Sequence, residues 1–321
     1  MILREKQSTA PSRASTGSRA GSLRQVWCVL VIATMPVWAS AGSDERSTDE
    51  SAGRSAASGL ENLIRVSDRV LCGSEPRGES AFGTLKKLGV KTIVSVDGAA
   101  PQVNPAKKMG LRYVHIPVGY DGISRTAGLA LTRVIHDTKG QIYIHCHHGR
   151  HRGPAAAAIA CRIEGTADAD RALQIMVIAG TSRDYAGLWR DVEMFVVPDD
   201  DVVLPRLVEV SPSESMAAAM ARISRRFDEL KSWYALTLPA STDQSRNMAA
   251  QDALLLHETL REVSRNLTSG YDPKFRMWLA QSDTAAKGVY DSLRSGSVDT
   301  ARQHLKALQQ SCTRCHKAYR N

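Results

Sequence analysis

Short apolar runs alternate with amphipathic stretches along the first half of the chain. Four runs rich in β-branched and aromatic residues predict strands: RVLCGS from residue 69, KTIVSV from 91, RYVHIPV from 112 and QIYIHC from 141. Four stretches with apolar residues three and four apart predict helices: SAFGTLKKLG, TAGLALTRVIHD, GPAAAAIACRIEG and ADRALQIMVIAG. Strands that alternate with helices indicate an α/β domain with a largely parallel sheet, which we place at residues 60–196.

The second half of the chain contains no strand pattern. Three prolines and a run of acidic residues mark a linker at residues 197–212. Four amphipathic stretches follow, at residues 214–236, 246–267, 273–295 and 298–319. Four helices of about twenty residues with short connections favour an antiparallel four-helix bundle over residues 213–321.

The N-terminus has the three parts of a secretory signal. Basic residues come first, the apolar run VWCVLVIATMPVW follows, and Ala39, Ser40 and Ala41 supply a small-residue cleavage site. We expect residues 1–41 to be removed after Ala41 and the protein to be periplasmic, with no stable membrane span. An uncleaved N-terminal anchor is the alternative. Residues 42–59 are rich in serine, alanine and charge, which predicts a flexible tether.

The overall composition, 43% hydrophobic and 23% charged over 321 residues, is typical of a globular protein of about two domains. A formal net charge of +9 would suit a nucleic-acid partner. However, the arginines are dispersed and no basic run is interleaved with aromatic residues, so we expect no nucleic-acid binding.

The chain ends in SCTRCHKAYRN, which contains the pattern C-x-x-C-H at Cys312, Cys315 and His316. This pattern is the attachment signature of c-type haem: both thiols bond the porphyrin and the histidine becomes an axial iron ligand. A C-x-x-C disulfide and half of a zinc site are the alternatives, although a zinc site needs two further ligands. A bundle whose last helix ends in this motif resembles the class II cytochromes c, the cytochrome c-prime and c-556 family, over residues 213–321.

This resemblance implies one covalent haem c and a first helix that faces its other side. In the family that helix supplies either a methionine ligand or an apolar residue that leaves the iron five-coordinate. Met220 is our candidate ligand and Met216 the competitor, because both lie on the apolar stripe that Ile223 and Phe227 continue. Either methionine could instead be core packing. If the methionine ligates the iron, the haem would suit electron transfer with a redox partner; if that position is open, it would bind a small gas. We also expect a homodimer through the bundle.

The other cysteine motif lies where the strand QIYIHC runs into a helix-forming segment. Cys146 and Arg152 have the spacing C-x5-R, so one loop can surround a tetrahedral anion with the thiolate below it and the guanidinium on two of its oxygens. Backbone N–H groups and the helix dipole there attract anions and favour the nucleophilic thiolate over the thiol. The predicted phosphate-binding residues, whose histidines would add positive charge if protonated, are His147, His148, Gly149, Arg150, His151 and Arg152.

H-C-x5-R after an apolar strand resembles the cysteine-dependent protein tyrosine and dual-specificity phosphatases. The segments NLIRVSDRVLCGSEP and LKKLGVKTIVSV also resemble the opening of their small atypical branch, so the resemblance covers about residues 60–195. It implies an aspartate general acid on a loop upstream of the cysteine; Asp121 matches that position and Asp97 is the runner-up. The family usually has serine or threonine directly after the arginine, whereas Gly153 stands here, which implies slow breakdown of a phosphocysteine.

These patterns predict an exported, haem-containing phosphatase that hydrolyses phosphomonoesters through a phosphocysteine intermediate. The class of phosphorylated substrate stays open, because proteins, nucleotides, inositols and small esters share this loop chemistry. The alternative is a periplasmic haem electron carrier or sensor whose first domain only binds anions or a partner.

Overall fold

A five-stranded sheet lies at the centre of the first half of the chain. The structure is a computed structural model that describes residues 59–236 and 242–320. The strands are β1 (Ile64–Arg65), β2 (Val70–Gly73), β3 (Val90–Ser95), β4 (Arg112–His115) and β5 (Gln141–His145), in the spatial order β1-β2-β5-β3-β4. β1 pairs antiparallel with β2 and the other neighbours pair parallel, so the sheet is mixed, with mostly parallel pairing.

Helices cover both faces of this sheet because its strands are apolar on both faces. Tyr143 of β5 packs with Phe82 on one side, whereas Ile142 and Ile144 pack on the other. The helices on the Phe82 side are α1 (Gly78–Lys87) and α2 (Val103–Lys108). Those that pack on the opposite side are α3 (Arg125–Asp137), α4 (Arg152–Ile163), α5 (Ala169–Ile178) and α6 (Ala186–Glu193).

Helix α4 is the most enclosed of these elements. Every residue from Arg152 to Cys161 is buried, and the four alanines 155–158 allow the helix to lie close to the sheet. Pro154 lies in the first turn, where its missing N–H costs no intrahelical hydrogen bond. The turn that joins β5 to α4 is therefore held between two buried elements.

The segment between α6 and α7 forms no helix or strand, but it is attached to the sheet. The N–H of His115 donates to the carbonyl of Val208 at 2.9 Å, and the hydroxyl of Ser211 donates to the carbonyl of His115 at 2.8 Å. The segment thus covers the edge strand β4, whose backbone groups would otherwise be open to pairing.

Helices make up the rest of the described chain: α7 (Met216–Leu236), α8 (Asp243–Asn266), α9 (Pro273–Arg294) and α10 (Val298–Tyr319). Consecutive helices pack against each other, and their apolar faces share one buried cluster. Their bounds lie within about three residues of those that the periodicity predicts. Sequence patterns did not indicate β1, α2 or α6, because each is too short for a clear period.

The predicted signal, residues 1–41, lies outside the described residues, as does the tether except for Gly59. No helix within residues 59–236 or 242–320 has the length and apolar character needed to cross a membrane.

Candidate active site

Cys146 lies at the carboxyl edge of the sheet, directly after its central strand. β5 ends at His145 and α4 begins at Arg152, so residues 146–151 form the turn between them. The Cys146 side chain is buried, with only 3% of the residue exposed. Since β3 is a parallel neighbour of β5, the residues that follow β3 reach the same edge, and Asp97 is one of them.

Neighbouring groups hold the carbonyl oxygens of this loop. The N–H of Glu75 donates to the carbonyl of His147 at 3.2 Å, and the side-chain amide of Asn62 donates to that of His148 at 2.8 Å. The Thr181 hydroxyl donates to the carbonyl of Arg150 at 2.7 Å.

The backbone N–H groups of the loop are a set of potential donors. Between His147 and His151, none donates a hydrogen bond to a residue that the structure describes. With the carbonyls engaged elsewhere and the N–H groups unpaired, the loop has the donor pattern of an anion-binding nest.

Gly149 allows this loop to pack against the end of β2. It has φ +69°, and a Cβ atom there would lie only 2.2 Å from the carbonyl carbon of Gly73. Both the left-handed backbone and the close approach therefore require glycine at this position.

The histidines around Cys146 are neutral near pH 7. Burial lowers the pKa of His145 and His151 to about 4, and it also lowers the pKa values of His147 and His148. The positive charge that these rings would add if protonated is therefore largely absent at neutral pH. His145 orders the site instead: its ring hydrogen-bonds the Tyr113 hydroxyl at 2.6 Å.

Arg152 is fully buried and has partners on both terminal nitrogens. Nη1 donates to the Val118 carbonyl at 3.1 Å and to the Glu262 carboxylate. Nη2 donates to the Asp97 carboxylate at 3.3 Å and to the Tyr120 hydroxyl at 3.2 Å. Although burial alone would lower the pKa of Arg152, the nearby carboxylates hold it above its usual value. Its Nε has no hydrogen-bond partner among the described residues, and such a buried donor is available to an oxygen of a bound anion.

The two candidate acids have different surroundings. Burial would raise the pKa of Asp97, but the guanidinium groups of Arg152 and Arg265 hold that pKa far below its usual range, so Asp97 is an ionised structural partner and no proton donor. The Asp121 side chain is 58% exposed and lies 3.5 Å from Arg226. Asp121 makes no hydrogen bond or ion pair with the loop itself, although the adjacent Tyr120 contacts Arg152.

Sequence reasoning did not find the partners that α7 and α8 supply to this site. Glu258, Glu262 and Arg265 are spaced four and three residues apart, so they share one face of α8. That spacing was visible in the sequence, but charged residues on one helix face are also the pattern of a solvated surface. Only the packing of α8 shows that this face lies against Arg152 and Asp97.

The C-x-x-C-H motif lies inside α10 and lines a cavity of about 290 Å³ between the C-terminal helices. Cys312, Cys315 and His316 form one wall, and Met220 of α7 lies on another; Met216 is not among the lining residues. The remaining lining combines polar residues, among them the charged Asp228, Lys231 and Arg320, with six apolar ones: Ile223, Phe227, Leu256, Leu260, Leu279 and Leu308. Burial raises the pKa of both thiols.

No group of three or more histidine, cysteine or acidic side chains that could hold a metal ion occurs in the described ranges. His257, one of two other histidines of these helices, is hydrogen-bonded to Asp283 at 2.6 Å.

No protein-family model matches the chain, and no curated protein is similar to it. Among solved structures, the chain is similar to TpbA of P. aeruginosa, with 24% identity, 41% of this chain and 83% of that chain covered, and a TM-score of 0.36. It is also similar to the core catalytic domain of the PP-IP phosphatase SIW14 of S. cerevisiae, with 20% identity, 44% of this chain and 88% of that chain covered, and a TM-score of 0.38. A variant of human DUSP28 is similar as well, with 19% identity, 41% of this chain and 93% of that chain covered, and a TM-score of 0.32. With TM-scores this low, activity must be inferred from the residues of the site.

Proposed function

We propose that the first half of the chain is a cysteine-dependent phosphatase that hydrolyses phosphomonoesters. The observation that supports this most is the set of unpaired donors around Cys146: the loop N–H groups and the buried Nε of Arg152. Such donors bind the oxygens of a phosphoryl group, and stabilise the charge that develops as it is transferred.

In the first step the Cys146 thiolate attacks phosphorus. A sulfur–phosphorus bond forms, the bond from phosphorus to the ester oxygen breaks, and the leaving oxygen takes a proton from Asp121. In the second step water attacks phosphorus and gives a proton to the Asp121 carboxylate, while the sulfur–phosphorus bond breaks and releases orthophosphate and the thiolate. Gly153 supplies no hydroxyl to the departing sulfur, so we expect this second step to limit turnover.

The deciding experiment is hydrolysis of p-nitrophenyl phosphate by the full-length chain and by Cys146→Ser. Turnover that disappears in Cys146→Ser and persists in Cys161→Ala, a buried cysteine further along α4, supports the proposal. Equal turnover in the Cys146→Ser variant would exclude a phosphocysteine. If neither these samples nor a variant that frees Arg152 from Glu262 turns over, the alternative applies: a domain that binds anions or a partner beside a haem electron carrier or sensor.

We also propose that the C-terminal helices form a class II cytochrome c-like four-helix bundle with one covalent haem. The residues fit such a group, because both cysteines, the histidine and Met220 lie on one cavity that six further apolar side chains line. Cys312 and Cys315 would form the thioethers, and His316 would ligate the iron. A bound haem would supply electron transfer or gas binding. Attachment of this kind agrees with the export that the N-terminal sequence predicts.

Haem attachment can be tested by expressing the chain with a c-type maturation system and staining the denatured protein for covalent haem. We expect a haem-stained band that is absent in the double variant Cys312→Ser/Cys315→Ser. The double variant Cys72→Ser/Cys161→Ser, which leaves the C-x-x-C-H motif intact, should keep it. An unstained full-length chain under conditions that mature a known c-type cytochrome would overturn the proposal.

A further inference from the structure

Three side chains of the phosphatase-like site are each paired with a charged side chain from the C-terminal helices. The pairs are Arg152 with Glu262, Asp97 with Arg265 at 3.2 Å, and Asp121 with Arg226 at 3.5 Å. In addition, the Tyr185 hydroxyl donates to Glu258 at 2.8 Å. Through Glu262 and Arg226, helices α8 and α7 therefore reach Arg152 and Asp121, two groups on which the proposed reaction depends.

The contact between Arg152 and Glu262 differs from an ordinary surface ion pair. The Arg152 side chain is fully buried and that of Glu262 is 11% exposed. Water screens such a pair poorly, so the two groups attract each other strongly. A guanidinium binds carboxylates and phosphates through the same planar set of N–H donors. Glu262 therefore uses the chemistry that a substrate phosphate would use.

Phosphate binding at Arg152 would bring a further anion close to Glu262. Asp97 already contacts the same guanidinium, and Arg265, between Asp97 and Glu262, supplies the compensating positive charge. A phosphate dianion would thus share one buried cation with two carboxylates. Like charges at this range repel, so either Glu262 withdraws or the affinity for phosphate falls.

We propose that Glu262 competes with phosphate for Arg152, so that the C-terminal helices hold the phosphatase-like site in an inhibited state. This proposal rests on the assignment of the Cys146 loop as a phosphate site. It assigns α8 an autoinhibitory contact and predicts that loss of the carboxylate strengthens phosphate binding. If Glu262 instead only orients Arg152 for the substrate, its loss would weaken that binding.

Isothermal titration of the full-length chain with inorganic phosphate distinguishes these two roles. Glu262→Gln keeps the size of the side chain and removes its charge; we expect the dissociation constant for phosphate to fall on the order of tenfold. The control is Glu258→Gln, one turn earlier on α8, where the partners are Tyr185 and Arg261 and Arg152 is not contacted. We expect that variant to bind phosphate within about twofold of the parent.

Glu262→Asp provides a second test if the glutamine variant folds poorly. It retains the charge but is one methylene shorter, so it should also bind phosphate more tightly than the parent, by a smaller factor. Phosphate affinity that is unchanged or weaker in the folded Glu262 variants would overturn the proposal.

Parallel assays of p-nitrophenyl phosphate hydrolysis separate this inference from the proposed function. Tighter phosphate binding in Glu262→Gln with no hydrolysis by any sample would support the inhibitory contact and reject the phosphatase. Hydrolysis that depends on Cys146, with no gain in phosphate affinity, would keep the phosphatase and reject the contact.

Discussion

A Cβ atom at Gly153 would lie 3.5 Å from the Sγ of Cys146. The same atom would lie 3.1 Å from the Cys146 backbone nitrogen, a contact that needs a shift of a few tenths of an ångström. A hydroxyl added at residue 153 would therefore be close enough to hydrogen-bond the sulfur. This relationship links one sequence departure to one step of the proposed reaction.

We expect Gly153→Ser to accelerate steady-state hydrolysis by about tenfold, which corresponds to about 1.4 kcal/mol in the barrier. The parent should release a burst of p-nitrophenol as phosphocysteine accumulates, and the burst should shrink in the variant. Rapid-quench kinetics measures both. Gly153→Ala is the matched control, since it adds the same Cβ without a hydroxyl and should keep the burst. A parent without a burst or a trapped phosphoenzyme would contradict this mechanism.

Arg152→Lys should reduce kcat/KM for p-nitrophenyl phosphate by about a hundredfold, or about 3 kcal/mol. A lysine ammonium is a point charge and cannot replace the several directed N–H groups of a buried guanidinium. Steady-state kinetics on folded protein measures the loss. Arg150→Lys makes the same exchange at an exposed residue of the same loop; we expect it to retain most activity, because the backbone N–H through which residue 150 would bind phosphate is unchanged. Near-normal kcat/KM in Arg152→Lys would show that charge alone suffices at this position, and comparable losses in both variants would show that the effect is not specific to Arg152.

His145 should make the fold less stable in mild acid. Burial lowers its pKa to about 4 from a usual value of 6.5, so the unfolded chain binds the proton more readily between these values. The contribution of His145 to the free energy of unfolding is fully present above pH 6.5 and is lost as the pH falls towards 4. Between pH 7 and 5 we expect the free energy of unfolding to fall by about 2 kcal/mol for this reason.

Urea unfolding at pH 7 and 5 measures this loss, and His145→Gln should show a drop that is smaller by about that amount. His136, which is exposed on α3, provides the control variant His136→Gln, whose pH dependence should match the parent. An equal drop in the parent and in His145→Gln would refute the assignment to His145.

Met220 and Met216 should respond differently if haem occupies the C-terminal cavity. Met220 lines that cavity, whereas Met216 only packs against the neighbouring apolar cluster. We expect Met220→Ala to change the ferric absorption spectrum and Met216→Ala to leave it unchanged. Loss of a far-red thioether band in Met220→Ala would identify it as the ligand. An unchanged spectrum in Met220→Ala would exclude Met220 as a ligand.

The sequence by itself determined the local elements of this protein. Periodicity located the four longer strands and the long helices, because each has enough residues for its repeat to be visible. Fixed spacings identified the C-x5-R and C-x-x-C-H motifs, since the residues involved lie within one turn or one loop. The position of Cys146 between a strand and a helix also followed from an apolar run that leads into a helix-forming segment.

Only the tertiary structure decided which distant groups meet Arg152. Glu262 lies 110 residues further along the chain, and no local spacing relates the two. The packing of α8 turns that glutamate from an ordinary helix-surface charge into the partner of a buried arginine. Tertiary burial likewise made the loop histidines neutral and engaged Asp97 with two arginines, because charge state depends on desolvation and neighbouring charges that sequence order does not specify.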